Sequence, residues 1–350
     1  MPIARYLDLP AAILIIVVLS GGCADGQQEP PIATPEFTNG VTASAKPWTH
    51  EKFDAQDNKF TFALFSDLTG GERDHIFEIA VAQLSLLRPA FIMNVGDLIE
   101  GGTTDRQQLA LEWDSFDDRA ERAPAPVFYT GGNHDLTNMT MREVWEARYG
   151  ARYYYFTYQN VLFLVLDTED NTQERMQEIF EARAEAIALV EKEGWGVFGK
   201  TRYSNMPEQT AGTIGTEQSD YFQRVIADHP DVRWTFLFMH KAAWERDGET
   251  GFAAIEKALS ERPYTLFHGH LHAYKHQLRH GRDYIRLATT GGVQFADRDK
   301  SIDHVTLVTV SGENVDIANL RMSGIFDRTG VIPLGGDALC FDMSECGGEE

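Results

Sequence analysis

The chain has 350 residues, 43% of them apolar and 11% aromatic, enough for one large core or two smaller ones. Its 31 Lys and Arg stand against 53 Asp and Glu, a formal charge of -22. Such a surface repels nucleic acid and anionic lipid at long range, but admits an anionic substrate wherever bound cations invert the field locally.

The N-terminus carries Arg5 before the apolar run LPAAILIIVVL at 9–19, which is too short to span a bilayer comfortably, and then SGGC at 20–23. This predicts an export signal over 1–23. Cys23 is then either a lipidated anchor to a bacterial envelope membrane or a free thiol after a plain signal. The expected location is periplasmic or membrane-anchored. Residues 24–55 are rich in Pro, Thr, Gln, Ala and Gly and read as a flexible tether. Of three cysteines, Cys340 and Cys346 remain as a pair in LCFDMSEC, either a disulfide suited to an oxidising compartment or two thiols.

From Phe60 onward, short apolar runs alternate with helical stretches. FTFALFS (60–66) is strand-like, HIFEIAVAQLSLLR (75–88) has helical spacing, and FIMNVGD (91–97) is a strand ending at Asp97. RQQLALEWDSFDDRA (106–120) suits a helix, and VFYTGGNHD (127–135) reads as a strand entering a polar turn. VLFLVLDTED (161–170) repeats that pattern before a long helical insert at 172–193. A helix at 219–229, a strand at 234–240, a helix at 252–260 and the run YTLFHGHLH (264–272) follow. The end is strand-rich. This is an α/β chain with a mostly β end, one domain over 56–325 and a tail over 326–350.

Polar side chains gather where the apolar strands end: Asp67, Asp97, Asn133, His134, His240, His270 and His272. Open α/β sheets bind ligands outside the carboxyl ends of their strands. Asp, Asn and His without Cys favour divalent Mn, Zn or Fe over a thiolate site. His270 and His272 flank Leu271, so a regular strand there would put both imidazoles on one face; the alternative is a surface turn. Asp97, beside flexible Gly96, could bridge two cations, and a core-facing His240 would need a partner.

The motifs GD (96–97), GNHD (132–135), MH (239–240) and GHLH (269–272), in that order, resemble those of the calcineurin-like metallophosphoesterases over roughly residues 60 to 320. The resemblance implies a two-sheet sandwich flanked by helices, with two divalent metal ions between the sheet ends. It assigns Asp67 and His272 to one metal, Asn133, His240 and His270 to the other, and Asp97 as the bridge. His134 would sit beside the substrate. The first motif departs from the family: Asp67-Leu68-Thr69 stands where Asp-x-His is common. Related purple acid phosphatases supply a Tyr three residues after the bridging Asp, and Glu100 holds that place here. Glu100 is therefore either a ligand completing the first metal's shell or a solvated acid. Thr69 binds through its hydroxyl, contacts a water or phosphate, or caps the following segment.

The resemblance implies metal-dependent hydrolysis of a small phosphate ester, monoester or diester, by a metal-activated hydroxide. His134 would stabilise the transferring group or protonate the leaving oxygen. Asp135 would orient His134 or only fix the turn. Arg73, His75, Asn138 and Lys241 are further candidates for substrate contact. The insert at 172–193, with Trp195 and Trp244 in loops, is the candidate for leaving-group preference. No nucleic-acid partner is expected. The competing function is a non-catalytic metal-binding envelope lipoprotein. A dinucleotide oxidoreductase fails, because G-x-G-x-x-G and its following acid are missing.

Overall fold

The structure is a computed structural model that describes residues 36–53 and 59–346. The expected signal, Cys23 and the first part of the tether lie outside the described residues. The order begins with β1 (Phe37–Asn39), β2 (Lys59–Phe65), α1 (Ile76–Leu87), β3 (Ile92–Asn94), α2 (Arg106–Ala120), α3 (Asn133–Leu136) and α4 (Met139–Tyr149). It continues with β4 (Tyr154–Tyr158), β5 (Val161–Val165), α5 (Gln173–Glu193), α6 (Thr216–Asp228), β6 (Trp234–Phe238), α7 (Gly251–Ala258) and β7 (Tyr264–His268). Two hairpins close it: β8 (Lys275–Arg279) with β9 (Arg282–Arg286), and β10 (His304–Ser311) with β11 (Asn314–Arg321).

Alternation along the strands sets the layers. Phe60, Phe62 and Leu64 of β2 face Phe163, Phe236 and Phe238 in one aromatic core between two sheets. Ala63 and Phe65, on the opposite face, pack on α1, α2 and α4. Leu162, Leu164 and Leu237 likewise turn outward onto α6 and α7. The sheets are seven-stranded, β1-β4-β5-β6-β7-β9-β8, and four-stranded, β11-β10-β2-β3. Strands β5, β6, β7 and β9 are parallel, as are β2 and β3. The result is an α/β sandwich of two mixed sheets flanked by helices.

Three local expectations change. Residues 127–135 do not form a strand: Val127 and Phe128 make only isolated bridges to Ile92 and Trp48, and Asn133 opens a helical turn. His270 and His272 do not continue β7, because both have left-handed backbone, φ 76° and 49°. Residues 36–53 are not tether: β1 pairs with β4, and Trp48 is buried against Phe128 at 5.4 Å between ring centroids. The C-terminal segment also joins the fold, with Ile332 and Phe341 in the core beside α1 and a disulfide between Cys340 and Cys346. Among the described residues no helix is long and apolar enough to cross a membrane.

Candidate metal centre

Asp67 lies just past β2, Asp97 past β3, His240 past β6, and His270 and His272 past β7. Asp67 and Asp97 share the left-handed backbone of the two histidines, with φ 41° and 58°. That conformation costs a non-glycine residue about 1–3 kcal/mol and persists where surrounding structure over-determines it. Here it turns four side chains off their strand lines into one cluster. The motif glycines permit the approach. A Cβ on Gly132 would overlap Asp97 Oδ1, and one on Gly269 would overlap Asp67 Oδ2.

The donor atoms of Asp67, Asp97 and His272 lie within 4.8 Å of one another, and so do those of Asp97, His240 and His270. Asp97 belongs to both groups. Asn133 Oδ1, 3.2 Å from His240 Nε2, joins the second. One nitrogen of each imidazole is held on a backbone carbonyl: His240 Nδ1 on Val95 (2.8 Å), His272 Nδ1 on Val293 (2.6 Å) and His270 Nε2 on Gln209 (2.7 Å). The other nitrogen of each ring is thereby turned into the cluster, where a bound cation would take it in place of a proton. His240 Nε2 is 3.0 Å from Asp97 Oδ2, and His272 Nε2 is 3.4 Å from Asp67 Oδ1. Buried carboxylates without a compensating cation are costly. Two of them facing three such imidazoles fit a pair of divalent ions that share Asp97.

The electrostatics reflect carboxylates packed against imidazoles, with a proton on His240 offsetting charge that a bound cation would otherwise offset. Burial raises the Asp97 carboxyl, but His240, His134 and His270 outweigh it and hold it well below the usual carboxylate range. Burial lowers His240, yet Asp97 and Asp67 push it up to about 9. His270 is held well below the ordinary value by burial and then by Lys241 and His240.

His134 stands outside both groups. Its backbone amide donates to Asp97 Oδ1 at 2.9 Å, and its Nδ1 donates to the Glu100 carbonyl at 2.8 Å. Asp135 does not orient that ring. Its carboxylate accepts four backbone amides, those of Gly132 (2.7 Å), Asp97 (2.8 Å), Leu98 (2.9 Å) and Ile99 (3.2 Å), so it fixes the turn. Burial and the Asp97 charge push it up to about 7, against those amides.

The other candidates are engaged elsewhere. Glu100 lies outside both donor groups, and its Oε1 accepts the amides of Gly71 and Glu72, each at 2.9 Å. The fully buried Thr69 hydroxyl donates to the Ile99 carbonyl at 2.8 Å, tying the first motif to the second. Arg73 Nη2 is 2.6 Å from both carboxylate oxygens of Asp303, while Nε donates to Gly292 and Nη1 to Cys340. Lys241 is buried, with Nζ 2.9 Å from Glu169 Oε1 and 2.7 Å from the Glu208 carbonyl. Asn138 is the N-cap of α4, accepting the Met141 amide at 2.9 Å. His75 is exposed at the N-cap of α1. Trp244 packs edge-on against His268 and Tyr284, and Trp195 is exposed.

One residue escaped the sequence reading. Arg183 of α5 donates from Nη2 to His134 Nε2 at 3.1 Å. The signal was present. Arg183 follows Ala182 at the edge of the buried stripe Met176, Ile179, Ala182, Ala186 and Val190. A cation in that place ordinarily reads as a side chain snorkelling past an apolar face.

Strand-end carboxylates and imidazoles grouped around a shared aspartate define a dinuclear metallohydrolase centre. Residues 60–274 match the calcineurin-like phosphoesterase family, and the chain belongs to it. The protein is a metal-dependent phosphoesterase of that superfamily. Its fold is similar to that of a dimetal phosphatase from Danio rerio, at 14% identity over 75% of this chain and 98% of that one, TM-score 0.50. It is also similar to a purple acid phosphatase from yellow lupin seeds, at 13% identity over 78% of this chain and 53% of that one, TM-score 0.52. These likenesses concern the fold. No curated protein matches the chain.

Proposed function

We propose that this protein hydrolyses a small phosphate ester in an exported, envelope-facing setting, using two ions drawn from Mn, Zn or Fe. The observation that carries this reading is the sharing of Asp97 by two donor groups, with His134 beside them and on neither. Asp67 and His272 would hold one ion, Asn133, His240 and His270 the other, and Asp97 both. When bound, such a pair lowers the pKa of water and offsets charge on the phosphoryl oxygens. The chain supplies the rest. Asp135 and Thr69 fix the loops that carry Asp97 and Asn133. His134, with Nδ1 anchored on Glu100, presents Nε2 as the atom that moves a proton to or from the substrate. The Asp-x-Thr first motif is a family variant in which Thr69 organises the loop where the usual His would bind metal. Cys23, if lipidated, would tether the domain to a membrane.

The test uses the metal-loaded protein, its Asp97→Asn and His134→Ala variants, and p-nitrophenyl phosphate with its bis ester. Wild type should hydrolyse at least one ester. Asp97→Asn should lose bound metal. His134→Ala should keep its metal and lose about 100-fold or more in kcat, as removal of a proton-transfer group does. A metal-replete wild type inert to both esters would favour the non-catalytic binding role.

A further inference from the structure

We propose that Arg183 is a substrate-binding residue that takes the third non-bridging oxygen of a phosphate monoester, giving the site a preference for monoesters over diesters. This rests on the phosphoesterase reading above and names its substrate class.

The placement comes from the insert. Helix α5 buries Ile179, Ala182 and Ala186 against Tyr203 in a small core of its own. That packing fixes the helix from which Arg183 reaches His134, with Nη2 3.1 Å from Nε2 and 3.3 Å from Nδ1. The guanidinium lies on bare backbone: a Cβ on Gly102 would overlap Arg183 Nη1. The absence of a side chain at Gly70 keeps the face of His134 toward the first donor group uncovered. A Cβ on Gly70 would stand 3.5 Å from His134 Nε2 and 3.3 Å from His272 Cε1, so a side chain there would press on both rings where His134 meets the first donor group.

Charge gives the placement its meaning. The other cations considered at this end are neutralised, Arg73 by Asp303 and Lys241 by Glu169. Arg183 pairs with no carboxylate among the described residues, although the chain carries 53 acids. Glu100, beside His134, is turned onto the amides of Gly71 and Glu72. An arginine aimed at an imidazole, and left without a carboxylate in an acidic protein, is arranged for an anion from solution. The planar guanidinium fork matches phosphoryl oxygens. A monoester near neutral pH carries about two charges over three non-bridging oxygens, where a diester has one charge over two. The additional oxygen and charge are what an additional cationic donor would recognise.

The experiment compares wild type, Arg183→Ala and Arg183→Lys, all metal-loaded. Calorimetry would measure binding of inorganic phosphate, and kinetics would give kcat/KM for p-nitrophenyl phosphate and for its bis ester. Arg183→Ala should keep its metal and lose about 10- to 100-fold in phosphate affinity and in monoester kcat/KM, the range for one charged hydrogen bond. The diester should change by less than about 3-fold, and Lys should recover only part of the loss, having charge without the fork. Equal losses on both esters, loss of metal, or unchanged phosphate affinity would each overturn the proposal. If wild type turns over neither ester, the phosphoesterase reading fails on its own account and phosphate binding decides for Arg183. A wild type that does not bind phosphate overturns the assignment.

Discussion

Glu100 and His272 make the sharpest contrast at the scale of single residues. From sequence, either could be drawn as a ligand of the first metal, yet only His272 belongs to the donor group. His272 keeps its Nδ1 on Val293 and aims Nε2 at Asp67. Glu100 has one carboxylate oxygen on two backbone amides and stands outside the donor groups. Elemental analysis should therefore separate them. His272→Ala should fall from two metals per chain toward one. Glu100→Ala should hold two and lose stability, about 1 kcal/mol for amides returned largely to water. Loss of a metal from Glu100→Ala would restore it as a ligand. The metal-site residue types were legible because a polar side chain at the end of an apolar run is locally conspicuous. The roles of Arg73 and Lys241 were not. Their carboxylate partners, Asp303 and Glu169, lie 230 and 72 residues away in sequence, and only the fold brings them together.

Elements with their own stop and start signals were the ones that sequence located well. Helix α2 begins where expected because Asp105 caps it, accepting the amides of Gln107 and Gln108. The GNHD and GHLH stretches defeat period-based reading, since their backbone follows the close approach of neighbouring loops. The insert shows a third case, an element fixed by charge. Glu208, which follows α5, is bound by Arg175 and Arg246. Burial opposes its ionisation, but the two arginines hold the carboxyl at about 2, below its ordinary 4.5. The folded insert thus binds fewer protons than the unfolded chain between those values, so its stability rises with pH across that window. Hydrogen exchange over residues 172–210 should show full protection above about pH 4.5, lost progressively as pH falls toward 2. Glu208→Gln should lower protection at neutral pH and flatten the acid dependence. A variant that tracks wild type through the window would rule out this carboxylate as the cause.

At the largest scale, the described residues form a two-sheet body with an insert packed on it. Three large cores serve the sheets and their helices, while the insert has a small cluster of its own around Ile179 and Tyr203. Composition alone missed the body's true limits. A Pro- and Thr-rich stretch looked like tether, yet Trp48 and Phe53 pack into the central core and decide its fate. The ends of the insert come together where Glu169 bridges Thr213, so residues 172–210 can be replaced by a short linker without stretching either sheet. The body should still fold, since its strand pairings lie outside that segment. The metal centre should not be untouched. The insert supplies the Gln209 carbonyl that holds His270 Nε2 and the Glu208 carbonyl that receives Lys241 Nζ. Removing an outer partner of a ligating imidazole typically weakens metal binding by about 10- to 100-fold. Circular dichroism should therefore show the sheets retained while titration shows one of two metals bound that much more weakly. Undiminished affinity at both sites would mean that His270 is oriented by the body alone. A protein that does not fold would instead place the buried Lys241–Glu169 pair, cut off from Glu208, among the supports of the body itself.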